Sequence, residues 1–283
     1  MAEILKGASA AAALDEKTAE GVKMLDARGV KPGLGILRVG ERPDDLAYER
    51  AAVKRCEKLG IATKLVTLPE NVKQGALIAN LARLNADDNI HGVLLFRPLP
   101  AELDECGACE ALMVAKDIDG ITCGSAASLY TGRHKGFAPC TAEAVLSILR
   151  HYKIPIAGKR AVVVGRSLVI GKPIAMMLLE RNATVTICHS HTQNLAEITR
   201  GADIVVAAMG RAEMLSAEYF APGQTVIDVG INYSEAKGKL VGDVDFDAVE
   251  PIVGAITPVP AGVGSVTSAM LARHVVLAAG AAI

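Results

Sequence analysis

Short apolar runs alternate with helix-like segments along most of this chain, and this alternation is the feature that most constrains its fold. In the first half, predicted strands at Gly33–Gly40, Thr63–Leu68 and Gly92–Phe96 are separated by predicted helices at Asp44–Leu59 and Gln74–Leu84. Strands separated by single helices are typical of right-handed parallel crossovers. We therefore predict an α/β fold whose N-terminal domain is built on a parallel sheet.

The second half repeats the alternation. Its predicted strands are Arg160–Gly165, Ala183–Cys188, Asp203–Gly210 and Thr225–Asn232. Two short helices are predicted between them, at Pro173–Glu180 and Leu195–Thr199. This pattern indicates a Rossmann-type dinucleotide-binding domain.

The predicted domain boundaries follow from the segments between these two sets. A length of 283 residues favours two domains, with one large α/β domain as the alternative. The glycine-containing zone Lys116–Pro139 is predicted to be loop that lines a cleft between them, followed by a helix over Cys140–Tyr152 with Thr141 as its N-cap. The prediction is a first domain of residues 1–139, completed by a C-terminal helix over 266–283, and a nucleotide-binding domain of residues 140–265.

Composition excludes several classes of protein. Apolar residues make up 51% of the chain and charged residues 22%, which rules out a disordered chain. A net charge of -1 disfavours nucleic acid and anionic membranes as partners. The apolar stretch His274–Ile283 is too short to span a bilayer, and no signal peptide is evident. We therefore expect a cytoplasmic protein with no membrane partner.

The cysteines point to the same reducing compartment. Six cysteines without an export signal indicate free thiols rather than a disulfide framework. Cys106 and Cys109 form a lone C-x-x-C with no second pair, so two ordinary thiols on a helix are favoured over a zinc site. No metal is expected.

The segment GRSLVIGKP, Gly165 to Pro173, occupies the place of a phosphate-binding turn, between a predicted strand and a predicted helix. Gly165 permits a tight turn, Gly171 permits close approach of helix and strand, and the helix N-terminus offers N–H groups to phosphate. Ser167 stands at the middle position, so the segment is not G-x-G-x-x-G. A plain strand–helix turn is the alternative.

The residues around this turn favour NADP over NAD. NAD-binding domains usually carry Asp or Glu at the end of the next strand, to bind the ribose hydroxyls. Here that strand ends in CHSHT, residues 188–192, without an acid, while Arg166 follows the first glycine. An arginine with a hydroxyl suits a 2′-phosphate. His189 and His191 would add positive charge there, although solvated or capping histidines are the favoured reading.

Six motifs in order carry a family resemblance: KDIDG, PCTAEAV, GRSLVIGKP, CHSHT, VIDVGIN and ITPVPAGVG. With them the chain resembles the bifunctional methylenetetrahydrofolate dehydrogenase/methenyltetrahydrofolate cyclohydrolases over nearly its whole length. The resemblance implies a two-domain α/β subunit, usually a homodimer, with a tetrahydrofolate derivative in the cleft between the domains. It also implies hydride transfer from methylenetetrahydrofolate to NADP.

The resemblance also implies site residues. Asp119 in KDIDG stands where the family's carboxylate grips the pterin ring, whose edge offers N–H donors. Without the family, Asp119 reads as a turn residue ahead of Gly120. Tyr48 is expected near the pterin as a catalytic residue, like Asp119. Further implied positions are Pro260 and Gly264 on the substrate side, and Gly165, Arg166, Ser167, Ser190 and Ile231 around NADP, with Arg166 and Ser190 at its extra phosphate.

Two departures from the family pattern concern the hydrolytic step. The family has Tyr, three residues, then Lys on one helix face; here Tyr48 is followed by Ala52, and Lys54 lies on another face. The family's Gln that pairs with that Lys is replaced by Phe96. We regard the two replacements as one coherent loss. Our hypothesis is NADP-dependent dehydrogenation with weak or absent cyclohydrolase activity, and a separate cyclohydrolase in the same cell.

A third departure from the family pattern lies on the substrate side, and three alternative functions stay open. Ala261 replaces a glycine of the family in the substrate-side loop. Arg55 or Arg97 as substitute bases are disfavoured, because arginine stays protonated. A fully bifunctional enzyme, a dehydrogenase for another one-carbon pterin, and a non-catalytic folate or nucleotide binder remain alternatives.

Overall fold

The computed structural model describes residues 1–133 and 135–282. Its strands are β1 (Glu3–Ile4), β2 (Gly33–Val39), β3 (Ala62–Leu68), β4 (Gly92–Leu95), β5 (Arg160–Val164), β6 (Thr184–Cys188), β7 (Ile204–Ala207), β8 (Thr225–Asp228), β9 (Asn232–Ser234), β10 (Lys239–Val241) and β11 (Ala255–Ile256). Its α-helices are α1 (Gly7–Asp26), α2 (Pro43–Leu59), α3 (Gln74–Ala86), α4 (Glu105–Glu110), α5 (Cys123–Thr131), α6 (Cys140–His151), α7 (Gly171–Glu180), α8 (Leu195–Arg200), α9 (Phe246–Val249) and α10 (Val263–Ala281).

The chain divides into two compact units. Unit 1 comprises Met1–Ala12 and Thr141–Thr267, and unit 2 comprises Ala13–Cys140 and Ser268–Ile283. The expected first domain included the N-terminus, whereas the structure places Met1–Ala12 in unit 1. The reason is a long-range pairing that has no local signal: β1 runs parallel to β11, with Glu3 opposite Ala255.

Unit 2 is built on a three-stranded parallel sheet in the order β3-β2-β4. The central strand β2 is buried along its whole length, whereas β3 lies at an edge and alternates between exposed and half-buried residues. Helix α2 ends where Gly60 adopts a left-handed conformation (φ 77°), as the sequence predicts. The core under α3 and α4 is formed by Leu37, Val39, Leu77, Leu81, Leu84, Val93, Leu95 and their neighbours.

Unit 1 is built on a six-stranded parallel sheet in the order β1-β11-β8-β7-β5-β6, with a separate antiparallel pair of β9 and β10. The longer strands of this sheet, β5 to β8, all pair in parallel, which matches the expected Rossmann-type architecture. The strands β5, β7 and β8 are buried almost throughout, and their side chains form the core with Phe220, Val249 and Val253.

The structure corrects four details of the prediction. The zone Lys116–Pro139 is not all loop, because α5 forms within it, and residue 134 of that zone lies outside the described residues. Thr141 is the second residue of α6 and not its N-cap, since the helix already begins at Cys140. The strand expected over Thr225–Asn232 ends at Asp228, and Asn232 opens β9. The last helix begins at Val263, and Ile283 lies outside the described residues.

Helix α10 is also the one described helix long and apolar enough, by length and composition, to cross a membrane. Most of its apolar stretch is buried within the protein, which is typical of a core helix.

Candidate active site

Two glycines shape the turn between β5 and α7. Gly165 has φ 136°, and a Cβ atom on it would collide with the carbonyl oxygen of Ala208 at the end of β7. A Cβ on Gly171 would collide with the carbonyl of Gly165 itself, where α7 begins. Ser167 Oγ accepts a hydrogen bond from the Ile170 N–H at 3.1 Å and so closes the turn from within. The predicted phosphate turn therefore has the tight backbone that it requires.

Arg166 and Ser190 lie at corresponding positions just after two neighbouring strands, β5 and β6. Val164 of β5 is in register with Cys188 of β6, and the Gly165 N–H donates to the Cys188 carbonyl at 2.9 Å. Arg166 and Ser190 each follow two residues after that pair, both exposed. No ion pair involves Arg166 among the described residues, so its guanidinium is available to an anion. A guanidinium and a hydroxyl are donors that suit a phosphate group.

The two histidines of CHSHT hold the turn after β6. The His189 N–H donates to Thr192 Oγ1 at 2.8 Å, and His189 Nδ1 accepts from the His191 N–H at 3.2 Å. Their rings lie 6.0 Å apart. This geometry supports the reading of both residues as turn and capping histidines.

The remaining predicted residues of unit 1 lie on the loops after β8 and β11 and in the first turn of α10, which contains Gly264. Ile231 is 60% exposed, and a Cβ on Gly264 would lie 3.2 Å from its Cδ1, so these two positions adjoin. Pro260 is exposed and precedes Ala261, which has φ 77° and whose carbonyl accepts the Gly7 N–H at 2.8 Å. The alanine thus occupies a left-handed conformation that favours glycine.

Two buried carboxylates that the sequence analysis missed shape the loops around Ile231. Asp243 accepts the backbone N–H groups of Met209, Gly210 and Arg211 in the loop after β7. Asp228, the last residue of β8, accepts those of Gly230, Asp243 and Val244. Burial raises the pKa of Asp228 to about 7. The available signal was three aspartates in GDVDFD beside a glycine, which read only as a polar loop.

In unit 2, Tyr48 contacts Phe96 and shares helix α2 with the buried Ala52. Tyr48 and Ala52 are one turn apart on α2, and Ala52 is only 1% exposed. Phe96 follows β4, is 8% exposed, and meets the Tyr48 ring edge to face with centroids 5.9 Å apart at 80°. Burial raises the pKa of the Tyr48 hydroxyl well above its ordinary value. One replaced position, Phe96, therefore makes an aromatic contact with Tyr48, and the other, Ala52, is a buried methyl group.

The cations nearest to this group are already paired. Arg55 Nη1 lies 2.6 Å from Asp15 Oδ1, and Arg97 Nη1 lies 3.5 Å from Glu105 Oε1. Lys54 is exposed on another face of α2, as the sequence predicts. Arg55 opposes the rise in the Tyr48 pKa, and it is a guanidinium that cannot serve as a base.

Asp119 lies beside this group. Its Oδ1 accepts the Cys140 N–H at 3.0 Å, and its charge acts on the Tyr48 hydroxyl, raising the tyrosine pKa. Burial raises the pKa of Asp119 itself, against the opposing effects of that hydrogen bond and of Arg97. Gly120 adopts φ 62°, so the segment does turn here as the simpler reading expected. The structure brings Tyr48, Asp119 and Phe96 together in unit 2.

The cysteines are all free thiols. Cys106 and Cys109 lie on α4, the first exposed and the second buried. Within residues 1–133 and 135–282, no group of three or more His, Cys, Asp or Glu side chains is placed to hold a metal ion.

Comparison with known protein families shows to which family the chain belongs. Residues 5–119 match the catalytic domain of tetrahydrofolate dehydrogenase/cyclohydrolase, and residues 139–282 match its NAD(P)-binding domain. The chain belongs to the tetrahydrofolate dehydrogenase/cyclohydrolase family. A bifunctional FolD protein of Carboxydothermus hydrogenoformans is 51% identical over 279 residues, covering 98% of this chain and 97% of that protein.

Two solved members of the family share the fold. The bifunctional FolD dehydrogenase/cyclohydrolase of Campylobacter jejuni is 37% identical with a TM-score of 0.97, covering all of both chains. The Trypanosoma brucei enzyme, solved with NADP and an inhibitor, is 36% identical with a TM-score of 0.93, covering 99% of this chain and 98% of that one.

Family membership confirms the expected resemblance, the α/β fold with a Rossmann-type domain, and the enzyme class. The chain is a methylenetetrahydrofolate dehydrogenase of one-carbon metabolism with NADP as its cofactor.

Proposed function

We propose that this enzyme oxidises methylenetetrahydrofolate to methenyltetrahydrofolate and has weak or no ability to hydrolyse the product. The observation that carries the second part is the aromatic contact of Tyr48 with Phe96, together with the burial of Ala52 one turn along α2 from Tyr48. An alanine methyl group and a phenyl ring occupy the positions of an amine and an amide, and neither can move a proton.

The oxidation requires little from acid–base side chains. The folate nitrogens supply the electronic push, and NADP when bound supplies the hydride acceptor, so the protein contributes mainly positioning. We assign Asp119 to the N–H edge of the pterin, Tyr48 to stacking near the ring, and Pro260 and Gly264 to the substrate-side loop. Burial raises the pKa of Asp119, and N–H donors of the pterin would lower it again, so binding of the pterin favours the ionised carboxylate.

On the cofactor side, Arg166 and Ser190 are assigned to the 2′-phosphate, and Gly165, Ser167 and Ile231 to the surrounding walls. The register of β5 with β6 supports the first pair, since Arg166 and Ser190 each follow two residues after the register pair Val164 and Cys188 at the same edge of the sheet. The exposure of Arg166 and its freedom from ion pairs among the described residues support the same assignment.

The hydrolysis has different requirements. Water must be added to the methenyl cation and the ring must then open, which needs a group that both takes and returns a proton near neutral pH. The raised pKa of Tyr48 keeps its hydroxyl protonated, and Arg55 and Arg97 remain charged in their ion pairs. Asp119, which acts on Tyr48, can exchange a proton, but its carboxylate is engaged by the pterin in this proposal.

The proposal extends to partners. Tetrahydrofolate one-carbon derivatives are the ligands, the subunit is expected to form a homodimer, and a separate cyclohydrolase is expected to consume the product in the same cytoplasmic compartment. The full bifunctional activity is the second candidate, and the name of the 51%-identical relative favours it.

The test compares two reactions in one preparation. Purified protein is given methylenetetrahydrofolate and NADP, and NADPH formation is followed. Separately, methenyltetrahydrofolate decay is followed with and without protein. We expect clear NADPH formation and a decay rate within about twofold of the buffer blank. Strong enzymatic acceleration of the decay would establish the bifunctional alternative instead.

A pair of variants sharpens the test. The double variant Ala52→Lys with Phe96→Gln restores the amine and its amide partner, and we expect hydrolysis to rise by about 10²-fold or more, the range of a positioned acid–base group. The matched control is Ala51→Lys with Phe96→Gln, which puts the same amine on an exposed neighbouring position of α2. Equal hydrolysis by both doubles would show that the position of the amine does not matter.

A further inference from the structure

A buried histidine of the last helix, α10, contacts the backbone of the residue that precedes Asp119. His274 of α10 is 2% exposed, and its Nδ1 lies 2.8 Å from the carbonyl oxygen of Ile118, the residue before Asp119. Because a carbonyl can only accept, Nδ1 carries the proton and donates it to this oxygen. The histidine ring also stacks at a tilt on Phe137, with centroids 4.8 Å apart.

Cys140 completes the attachment from the other side. Its thiol donates to the same Ile118 carbonyl at 3.3 Å, and its backbone N–H donates to Asp119 Oδ1 at 3.0 Å. A thiol is a weak donor, so the histidine N–H is the stronger of the two bonds to the carbonyl. The peptide between Ile118 and Asp119 is thus fixed at its oxygen mainly by His274.

The chain next to Asp119 depends on this attachment. Gly120 is left-handed, and a Cβ on it would lie 2.6 Å from the Phe137 carbonyl oxygen, so the segment of residues 137–139 packs against it without spare room. Asp117, on the near side, is tied by its carboxylate to the N–H groups of Ile121 and Thr122. Within residues 117–120, the peptide between Ile118 and Asp119 is the part whose orientation depends on His274 of the distant helix α10.

We propose that His274 is a positioning residue for substrate binding: its Nδ1–H fixes the Ile118 carbonyl and so aims the Asp119 carboxylate at the pterin. The inference rests on the role that the proposed function gives to Asp119. A residue that only fills space would act through its ring against Phe137, whereas a positioning residue acts through its N–H donor. These two contributions can be separated by substitution.

Two variants separate them. His274→Asn keeps a side-chain N–H donor near the position of Nδ1 and loses the ring, whereas His274→Phe keeps a ring against Phe137 and loses the donor. The readouts are the dissociation constant for tetrahydrofolate, measured by calorimetry, and the KM values for methylenetetrahydrofolate and NADP. Thermal unfolding of both variants reports the structural contribution.

We expect His274→Phe to weaken tetrahydrofolate binding and raise the methylenetetrahydrofolate KM by about tenfold, the effect of one lost hydrogen bond, with the KM for NADP within about twofold of wild type. We expect His274→Asn to stay within about threefold of wild type in all three. The opposite order, with Asn impaired and Phe normal, would overturn the inference. Equal loss in both variants, or unchanged binding in both, would overturn it as well.

Failure of the proposed function is recognised separately. Rapid hydrolysis of methenyltetrahydrofolate by wild-type protein would refute the claim of lost hydrolysis and leave the comparison of the two His274 variants standing. Conversely, equal tetrahydrofolate affinity across wild type and both variants would refute the inference while NADPH formation by wild type continued.

Discussion

The prediction that tests the cofactor assignment most directly is the replacement of Arg166 by alanine. Arg166 is exposed, free of ion pairs among the described residues, and placed by strand register beside Ser190. A charge-assisted hydrogen bond is worth about 1.5–3 kcal/mol, and exposure to water and salt reduces this for a surface guanidinium. We therefore expect a loss of about 1–2 kcal/mol in NADP binding, or about 5- to 30-fold in its KM.

The assay measures the KM for NADP and for NAD at saturating methylenetetrahydrofolate. NAD lacks the 2′-phosphate, so its KM should change by less than about twofold in Arg166→Ala. Arg181→Ala serves as the matched control, because Arg181 caps the other end of α7, where its guanidinium donates to the Met177 carbonyl at 2.9 Å. Equal rises in the KM for NADP and NAD would refute the assignment, and so would an unchanged KM for NADP.

Three further predictions follow from the backbone, the carboxylate and the thiols. Ala261→Gly should stabilise the protein by about 0.5–1 kcal/mol, because it relieves a left-handed alanine at some cost in unfolded-state entropy. The same change at helical Ala51 should destabilise the protein by about 1 kcal/mol. Urea unfolding measures both free-energy changes, and changes of the same sign in the two variants would contradict the reasoning. Burial raises the pKa of Asp119, so kcat/KM for methylenetetrahydrofolate should fall on acidification at a pH above the ordinary aspartate range. This fall should be absent in Asp119→Asn. A fall at the ordinary aspartate pKa, or one that persists in the variant, would contradict the prediction. A thiol reagent at pH 8 should label exposed Cys106 well before Cys56, whose pKa burial raises to about 12; mass spectrometry of peptides gives the order, and early labelling of Cys56 would contradict it.

Much of the fold could be predicted because its strands are buried apolar runs. Segments such as β2 and β5 read as strands from composition alone, and Gly60 marks the end of α2 by its left-handed conformation. Helix α1 was not predicted, since its alanine-rich sequence has little apolar periodicity. Helix α5 was hidden in the same way by small residues between glycines.

The site was predictable only where local chemistry marks it. The turn at Gly165 and the positions of Arg166 and Ser190 follow from one strand–turn–helix segment and its neighbour. Asp243 and His274 gave no such signal, because each acts on backbone groups from distant parts of its own unit. A buried carboxylate that binds three N–H groups, and a histidine that holds a carbonyl, become visible only once the chain is folded.

The replacements at positions 52 and 96 are best understood as a single change, because the structure makes each reversal costly alone. Ala52→Lys alone would bury an ammonium at a 1% exposed position without its amide partner, and a buried charge that is incompletely paired destabilises a protein by several kcal/mol. Phe96→Gln alone would remove the edge-to-face contact with Tyr48 and bury an amide without its ammonium partner, at about 1–3 kcal/mol. In the double variant the amide can bind the ammonium, so the combined loss of stability should be smaller than the sum of the single losses by about 1–3 kcal/mol. Losses that simply add would mean that the two side chains do not meet, and the argument that they were lost together would then have no physical basis.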